Sequence, residues 1–262
     1  MTKVANRLFV CFCVVAVSLA FSSGVFAQQS DPSSQPMPKD ARTRAIAHTD
    51  LGALYFRDGD LITALEEFTL AAAIDPDYAT AFSLRGLVLS RLQEYVSAEK
   101  DFQRAMSLDG RNPDIYNNYG WHLCQTGKER ESITYFEQAY RNPAYRTPAI
   151  AYMNAGSCYS KLNELDLAEE ALRMSLRLAP NSSQTLFHLA NISYKRENFD
   201  AAKKYMTDAM RSANPGPDML WLALRIEHKL GNAVDAQSFE SQLRRIFPES
   251  DEYQELRKGN FE

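Results

Sequence analysis

The stretch Leu51–Pro76, LGALYFRDGDLITALEEFTLAAAIDP, decides how the rest of the chain is read. Leu51-Gly52 is followed by Tyr55, a turn residue at Gly59, the small residues Ala64 and Ala71 on either side of Phe68, and then Pro76. This is the pattern of two helices joined by a tight turn: small side chains let two helices approach closely, and a bulky ring fills the hole beside them. The pattern returns down the chain. Gly52, Gly86 and Gly120 stand 34 residues apart, Gly156 follows after 36, and Ala190 and Leu224 resume the step of 34. The small residue that opens the second helix recurs as Ala64, Ala98, Ser132, Ala168, Ala202 and Ala236, and the later one as Ala71, Ala105, Ala139, Ser175, Ala209 and Leu243.

A 34-residue helix-turn-helix period with these offsets resembles the tetratricopeptide repeat. The expectation is an all-α, right-handed superhelical solenoid of about six repeats, with 12 antiparallel helices and a C-terminal cap. The repeats are placed at residues 45–78, 79–112, 113–146, 149–182, 183–216 and 217–250, with 251–262 a short helical cap or tail. Phe68, Phe102 and Phe136 are the ring fillers; Leu172 and Met206 replace them later, and Glu240 departs from the pattern in the terminal repeat, whose outer face is wetter. Between the helices stand Gly59, Gly127, Asn163 and Gly231, residues that tolerate the left-handed conformation ending a helix, whereas Gln93 and Glu197 hold the equivalent place in the other two repeats.

Lys3 and Arg7 precede an apolar run from Leu8 to Phe21, and Val25 and Ala27 supply the small residues a signal peptidase accepts. Residues 1–27 therefore read as a secretory signal; a membrane anchor is the rival, and the run is shorter than the ~18 or more apolar residues a span needs. Residues 28–44, with Pro32, Pro36 and Pro38 among polar side chains, read as a flexible linker. The whole chain carries net charge −4, and removing Lys3 and Arg7 with the signal leaves −6. That charge excludes nucleic acid as the main ligand, because phosphate binding rests on basic patches.

Catalysis and cofactors find no support. The four histidines, His48, His122, His188 and His228, stand singly, without the spacing that would put two imidazoles on one helical face for a metal. His122 and Cys124 are neighbours that point about 200° apart on a helix. With Cys11 and Cys13 in the signal, Cys124 and Cys158 are the cysteines left to a mature chain in an oxidising compartment. They sit twelfth and tenth in consecutive repeats, so one side chain points forward across the inter-repeat seam and the other back. A disulfide is expected there, with two buried free thiols as the alternative.

The first helices of such repeats line a concave face. Its offsets show Ile46, Phe56, Leu87, Trp121, Met153, Phe187, Tyr194 and Trp221, with Asn117 and Asn191 among them. The candidate peptide-binding groove is Phe56, Leu87, Asn117, Trp121, Met153, Phe187, Asn191 and Tyr194. Offset 13 adds Arg57, Arg91, Gln125, Lys161, Lys195 and Lys229. That stripe suits a negatively charged peptide, and equally suits the helix dipole, since it falls in the last helical turn.

A signal-bearing chain of six such repeats, with YNNYGWHLC at Tyr116–Cys124, resembles the type IV pilus biogenesis and stability proteins, the pilotins of the pilus secretin. The resemblance implies a non-enzymatic periplasmic scaffold that brings secretin subunits to the outer membrane and promotes their multimerisation, and it implies a structural disulfide matched by Cys124 and Cys158. Members are typically lipoproteins, yet neither Cys11 nor Cys13 follows small residues at the end of the apolar run. Membrane association is therefore expected through a partner, and the protein is expected to be a monomer. A general periplasmic adaptor that recruits cell-envelope enzymes is the alternative reading.

Overall fold

The computed structural model describes residues 39–212 and 214–259; the signal of residues 1–27 and residues 28–38 of the linker lie outside the described residues. The described chain is all helix, with thirteen helices and no strand among the described residues. They are α1 (Lys39–Asp58), α2 (Leu61–Ile74), α3 (Ala79–Arg91), α4 (Tyr95–Leu108), α5 (Pro113–Gln125), α6 (Glu129–Arg141), α7 (Pro148–Lys161), α8 (Leu165–Leu178), α9 (Ser183–Lys195), α10 (Phe199–Ser212), α11 (Pro217–Leu230), α12 (Ala233–Ile246) and α13 (Asp251–Lys258).

Each odd helix pairs with the even helix that follows, and the pair closes where the side chains are smallest. Phe68, Phe102, Phe136 and Leu172 are fully buried. A methyl group added to Gly52 would lie 2.8 Å from the Phe68 ring, and one added to Gly120 would lie 2.8 Å from Phe136, so the glycines exist to let the filler in. The turn between paired helices takes a left-handed residue every time. Gly59, Gly127 and Gly231 do this without strain, while Gln93, Asn163 and Glu197 adopt φ of 63°, 60° and 59°. An L-residue in that region costs of order 1 kcal/mol. The packing of the helix pair holds Gln93, Asn163 and Glu197 there.

Consecutive pairs stack through each even helix on the odd helix that follows it, and through the odd helices. α1 touches α3, α3 touches α5, and so on to α11, whereas no even helix touches another even helix. Closer approach on one side curves the stack, and the odd helices line its concave face. The chain is thus a solenoid of repeated helix pairs, in which each pair contacts its neighbours.

One boundary differs from the sequence reading. The linker expected through residue 44 ends earlier, because α1 begins at Lys39. Arg42 pairs with the fully buried Asp75 carboxylate and donates to the Asp77 carbonyl at 3.3 Å, and Ala41 and Ala45 are buried against the first pair. A polar, proline-flanked composition concealed a first helical turn whose inner face is two alanines. At the other end, residues 251–258 form α13, capped by Ser250, which accepts from the Tyr253 amide at 3.2 Å, and packed on α11 and α12. The longer connection before α7, which shifts the period from 34 to 36, buries Tyr145 beside Ala139 and Ala151. The two additional residues thus bring a side chain into the core.

Candidate functional site

The concave face carries two clefts that share no lining residue. The first has a volume of about 230 Å³ and runs across α1, α3, α5 and α7 to the start of α9. Five of the eight expected groove residues, Phe56, Leu87, Asn117, Trp121 and Met153, line it together. Arg91, Asn118, Ile150, Asn154 and Gln184 complete it. The second cleft, about 330 Å³, lies between α9 and α11 and takes Asn191 and Tyr194. Phe187 lines neither: it packs inward against the cluster of Ala190, Leu222 and Ile226. The residues expected to form one groove therefore fall into two clefts, with Phe187 in neither.

The floor of the first cleft is a chain of amides. Asn154 donates to the Asn117 carbonyl oxygen at 3.0 Å, Asn117 donates to Asn118 at 3.4 Å, and Asn118 donates to the Ser83 hydroxyl at 3.1 Å. Three odd helices are joined in this way, and Asn117 is buried by it, at 7% exposure. Sequence reasoning missed Asn118 and Asn154. The available signal was an asparagine at the sixth position of two consecutive repeats, 113–146 and 149–182. Around the amides stand Leu87, Phe56, Met153 and the exposed Ile150, so the cleft offers apolar walls over a polar floor.

Trp121 is half-buried. Its ring packs on the cluster that contains Cys124, Ala155 and Cys158. The two cysteines face each other across the α5–α7 seam with Cα atoms 6.0 Å apart and their sulfurs at bonding distance. The Trp121 platform is thus backed by the seam the cysteines span.

The basic stripe divides as well. The Lys161 ammonium donates to the Cys124 carbonyl at 3.2 Å and to Gln125 Oε1 at 2.8 Å, while Lys195 donates to the Ser160 carbonyl at 2.8 Å and its hydroxyl at 3.0 Å. Each lysine reaches back one repeat to a carbonyl in the last turn of the preceding odd helix, and the Ser160 carbonyl accepts from the Asn163 amide at 3.3 Å as well. Burial lowers the pKa of both ammonium groups. Arg91 instead lies over the Phe56 ring, its guanidinium carbon 5.8 Å from the ring centre.

Beneath the first cleft lies a buried polar network. His122 Nδ1 is 2.7 Å from the Ser90 hydroxyl, its Nε2 is 3.4 Å from Glu99, and the Tyr119 hydroxyl donates to Glu99 at 2.7 Å. The Ser90 hydroxyl also donates to the Gly86 carbonyl at 2.8 Å, so its single proton is already engaged within α3. Burial pushes the His122 pKa down, and Glu99 partly opposes it. A serine, a histidine and a carboxylate in line invite comparison with a hydrolytic triad. Ser90 and His122 are 3% and 2% exposed, however, so no substrate reaches the hydroxyl and the network ties α3, α4 and α5 together. Among the described residues no three His, Cys, Asp or Glu side chains converge so as to hold a metal ion, and no described helix is long and apolar enough to cross a membrane.

Comparison with known proteins gives this geometry a family. A tetratricopeptide-repeat model matches residues 149–182, which hold most of α7 and all of α8. The type IV pilus assembly protein PilF of Pseudomonas aeruginosa is 26% identical over 210 residues, covering 80% of this chain and 83% of that protein. The crystal structure of PilW, described as a widely conserved type IV pilus biogenesis factor, superposes with a TM-score of 0.69 at 31% identity, over 81% of this chain and 97% of PilW. The solved structure of P. aeruginosa PilF gives 0.66 at 25% identity, over 84% of this chain and the whole of that one. Helix pairs, concave face and sequence all align over nearly the full length of these relatives, and the chain belongs to the tetratricopeptide-repeat family of type IV pilus biogenesis factors represented by PilW and PilF.

Proposed function

We propose that the protein is a non-enzymatic scaffold of type IV pilus biogenesis that works in the periplasm, receives a segment of the pilus secretin in its first cleft, and promotes assembly of the secretin in the outer membrane. Family membership supports the pilus role, since PilF and PilW are both named for it. The observation that carries the binding role is the first cleft itself, where Phe56, Leu87, Trp121 and Met153 from four consecutive odd helices meet over the amide chain. An apolar trough of that length suits a short peptide whose side chains dock between the rings, with aromatic anchors supplying most of the affinity.

The Cys124–Cys158 pair is proposed as a formed disulfide that staples the α5–α7 seam behind Trp121. A cross-link of residues 34 apart is worth roughly 3 to 4 kcal/mol in the chain-entropy estimate. It would keep the two walls of the cleft at a fixed angle, so that docking need not order them.

The deciding experiment measures heat-resistant secretin multimers in outer membranes of a strain lacking the gene, then with the wild-type gene restored, then with Trp121→Glu and Leu87→Glu together. Loss of multimers in the first strain, return in the second and loss in the third are expected, with the variant protein folded by circular dichroism. Multimers and twitching motility that survive in the variant strain would refute binding through this cleft.

A further inference from the structure

We propose that the first cleft reads one side-chain carboxylate, an Asp or Glu at the α3 end of an extended apolar segment, and that Arg91 is the residue that reads it. This rests on the first cleft being the secretin-binding site, and it gives the bound segment a chemical signature.

Among the described residues that line the cleft, Arg91 is the only charged one, and no carboxylate lines it. The neighbouring members of the basic stripe are engaged or neutral. Arg57 lies 3.4 Å from Asp58, position 125 is a glutamine, and Lys161 donates to the Cys124 carbonyl. Arg91 stands exposed in the last turn of α3 and has no ion-pair partner among the described residues. Its contact is with the Phe56 ring, 5.8 Å from guanidinium carbon to ring centre. A ring contact restrains the guanidinium without using its N–H groups, which can therefore grip a carboxylate in the two-bonded manner that a lysine cannot. A lone cation in a chain of net charge −4 selects for negative charge at that point of the ligand and nowhere else along the cleft.

The floor supplies the backbone half of the recognition. Asn154 donates to Asn117, but its own Oδ1 accepts no hydrogen bond among the described residues, and the half-buried Gln184 amide makes none. An extended chain presents N–H and C=O groups to such amides. A helical ligand satisfies its own backbone and would leave them unused. Two helix spacings of about 8 to 10 Å separate Arg91 on α3 from Asn154 on α7, which is about five or six residues of extended chain. Between them Leu87, Trp121 and Met153 take apolar side chains. The lining continues past Arg91 to Phe56 on α1, so the chain runs on beyond the guanidinium, and the group met there is a side-chain carboxylate rather than a chain terminus.

The test probes overlapping peptides of about twelve residues, covering the secretin of the same organism, with the purified protein, and measures the strongest binder by fluorescence anisotropy. That binder should carry an Asp or Glu beside an apolar stretch. Converting the acid to its amide should weaken it about two- to fivefold, as should Arg91→Gln, and the two changes together should cost no more than either alone. A peptide with Lys in place of the acid should bind Arg91→Glu more tightly than it binds the wild type. Arg91 is exposed and free of hydrogen bonds to other side chains among the described residues, so its variants should keep the fold. A strongest binder with no acid, indifference to its removal, or a Lys peptide without preference for Arg91→Glu would overturn the carboxylate while leaving the secretin reading in place. No secretin peptide bound, or binding undiminished in Trp121→Glu, would overturn the secretin reading and the carboxylate with it.

Discussion

Substituting Gly156 by alanine tests the packing rule on which the repeat reading stands. The added methyl would lie 2.5 Å from Leu172 Cγ, 2.9 Å from its Cδ2 and 3.0 Å from the Ala168 carbonyl oxygen. Leu172 is fully buried and the carbonyl belongs to the facing helix, so neither can step aside without moving α8 away from α7. Alanine gains about 1 kcal/mol over glycine in helix propensity, and overpacking costs about 1 to 3 kcal/mol. The net expectation is a loss of up to about 2 kcal/mol. Gly86 is the internal control: there the methyl would meet Phe102 at 3.2 Å and the Ala98 carbonyl at 3.3 Å, contacts a small shift relieves, so Gly86→Ala should lie within about 0.5 kcal/mol of wild type. Urea denaturation followed by circular dichroism measures both. Leu172→Ala, made in the wild type and again in Gly156→Ala, completes a double-mutant cycle. Truncating a buried leucine costs about 2 to 5 kcal/mol in a well-packed site and should cost at least about 1 kcal/mol less where it also relieves the clash. A Gly156→Ala protein as stable as Gly86→Ala, or a cycle with no coupling, would refute close approach as the reason for the glycines.

Three further outcomes follow from the seams. Cys124→Ser with Cys158→Ser should lower stability by up to about 4 kcal/mol, and dithiothreitol should destabilise the wild type while leaving the variant unchanged; a wild type indifferent to reductant would mean free thiols. His122 is held neutral by burial between Ser90 on α3, Glu99 and Tyr95 on α4, Tyr119 on its own helix and the Lys128 ammonium beyond it. Its folded pKa lies below the ordinary value of 6.5, so its contribution is intact above that pH and is lost as pH falls below it. The urea midpoint should drop between pH 7 and pH 5, by less in His122→Gln, and an equal drop in both proteins would contradict the assignment. Lys195→Met removes the ammonium donor to the Ser160 carbonyl, which keeps the Asn163 amide at 3.3 Å, and should cost about 0.5 to 1 kcal/mol, seen as faster amide exchange at the end of α7; unchanged exchange there would show that the Asn163 amide serves the carbonyl equally well.

Much of the fold was legible because the repeat writes the same packing solution several times. One glycine against one phenylalanine is weak evidence, whereas Gly52, Gly86 and Gly120 against Phe68, Phe102 and Phe136 at a constant step admit one geometry. The concave positions were legible for the same reason, and Phe56, Leu87, Asn117, Trp121 and Met153 do meet. What failed was what a period cannot express. The first turn of α1 was hidden because its apolar face is made of alanines beside charged residues, and its anchor, Arg42 on Asp75, spans a whole repeat. Phe187 shares the periodicity of a groove residue, but its ring packs against Leu222 and Ile226 of the next repeat and lines neither cleft. Lys161 and Lys195 looked like a ligand-binding stripe or a dipole effect. Only the spacing of adjacent odd helices reveals that their ammonium groups reach a neighbour's carbonyl.

Those lysines indicate how a solenoid can hold a cleft open. Its curvature is fixed seam by seam, because each repeat contacts only its neighbours. Apolar packing alone is non-directional and tolerates small rotations between repeats, whereas a buried hydrogen bond tolerates little, since losing it leaves a desolvated donor or acceptor that costs about 1 to 3 kcal/mol. Side-chain hydrogen bonds, buried or partly buried, occur at every seam from α3 to α9: Asn118 to Ser83 and His122 to Ser90, Asn154 to Asn117 and Lys161 to Cys124, and then, beside the second cleft, Lys195 to Ser160. The bonds lie on the odd helices, the side where a rotation would change the width of the cleft most. A segment docking against Phe56, Leu87 and Trp121 therefore meets walls already set at their working distance. For the docking proposed above, the ordering of those walls is a consequence of folding rather than a cost of binding.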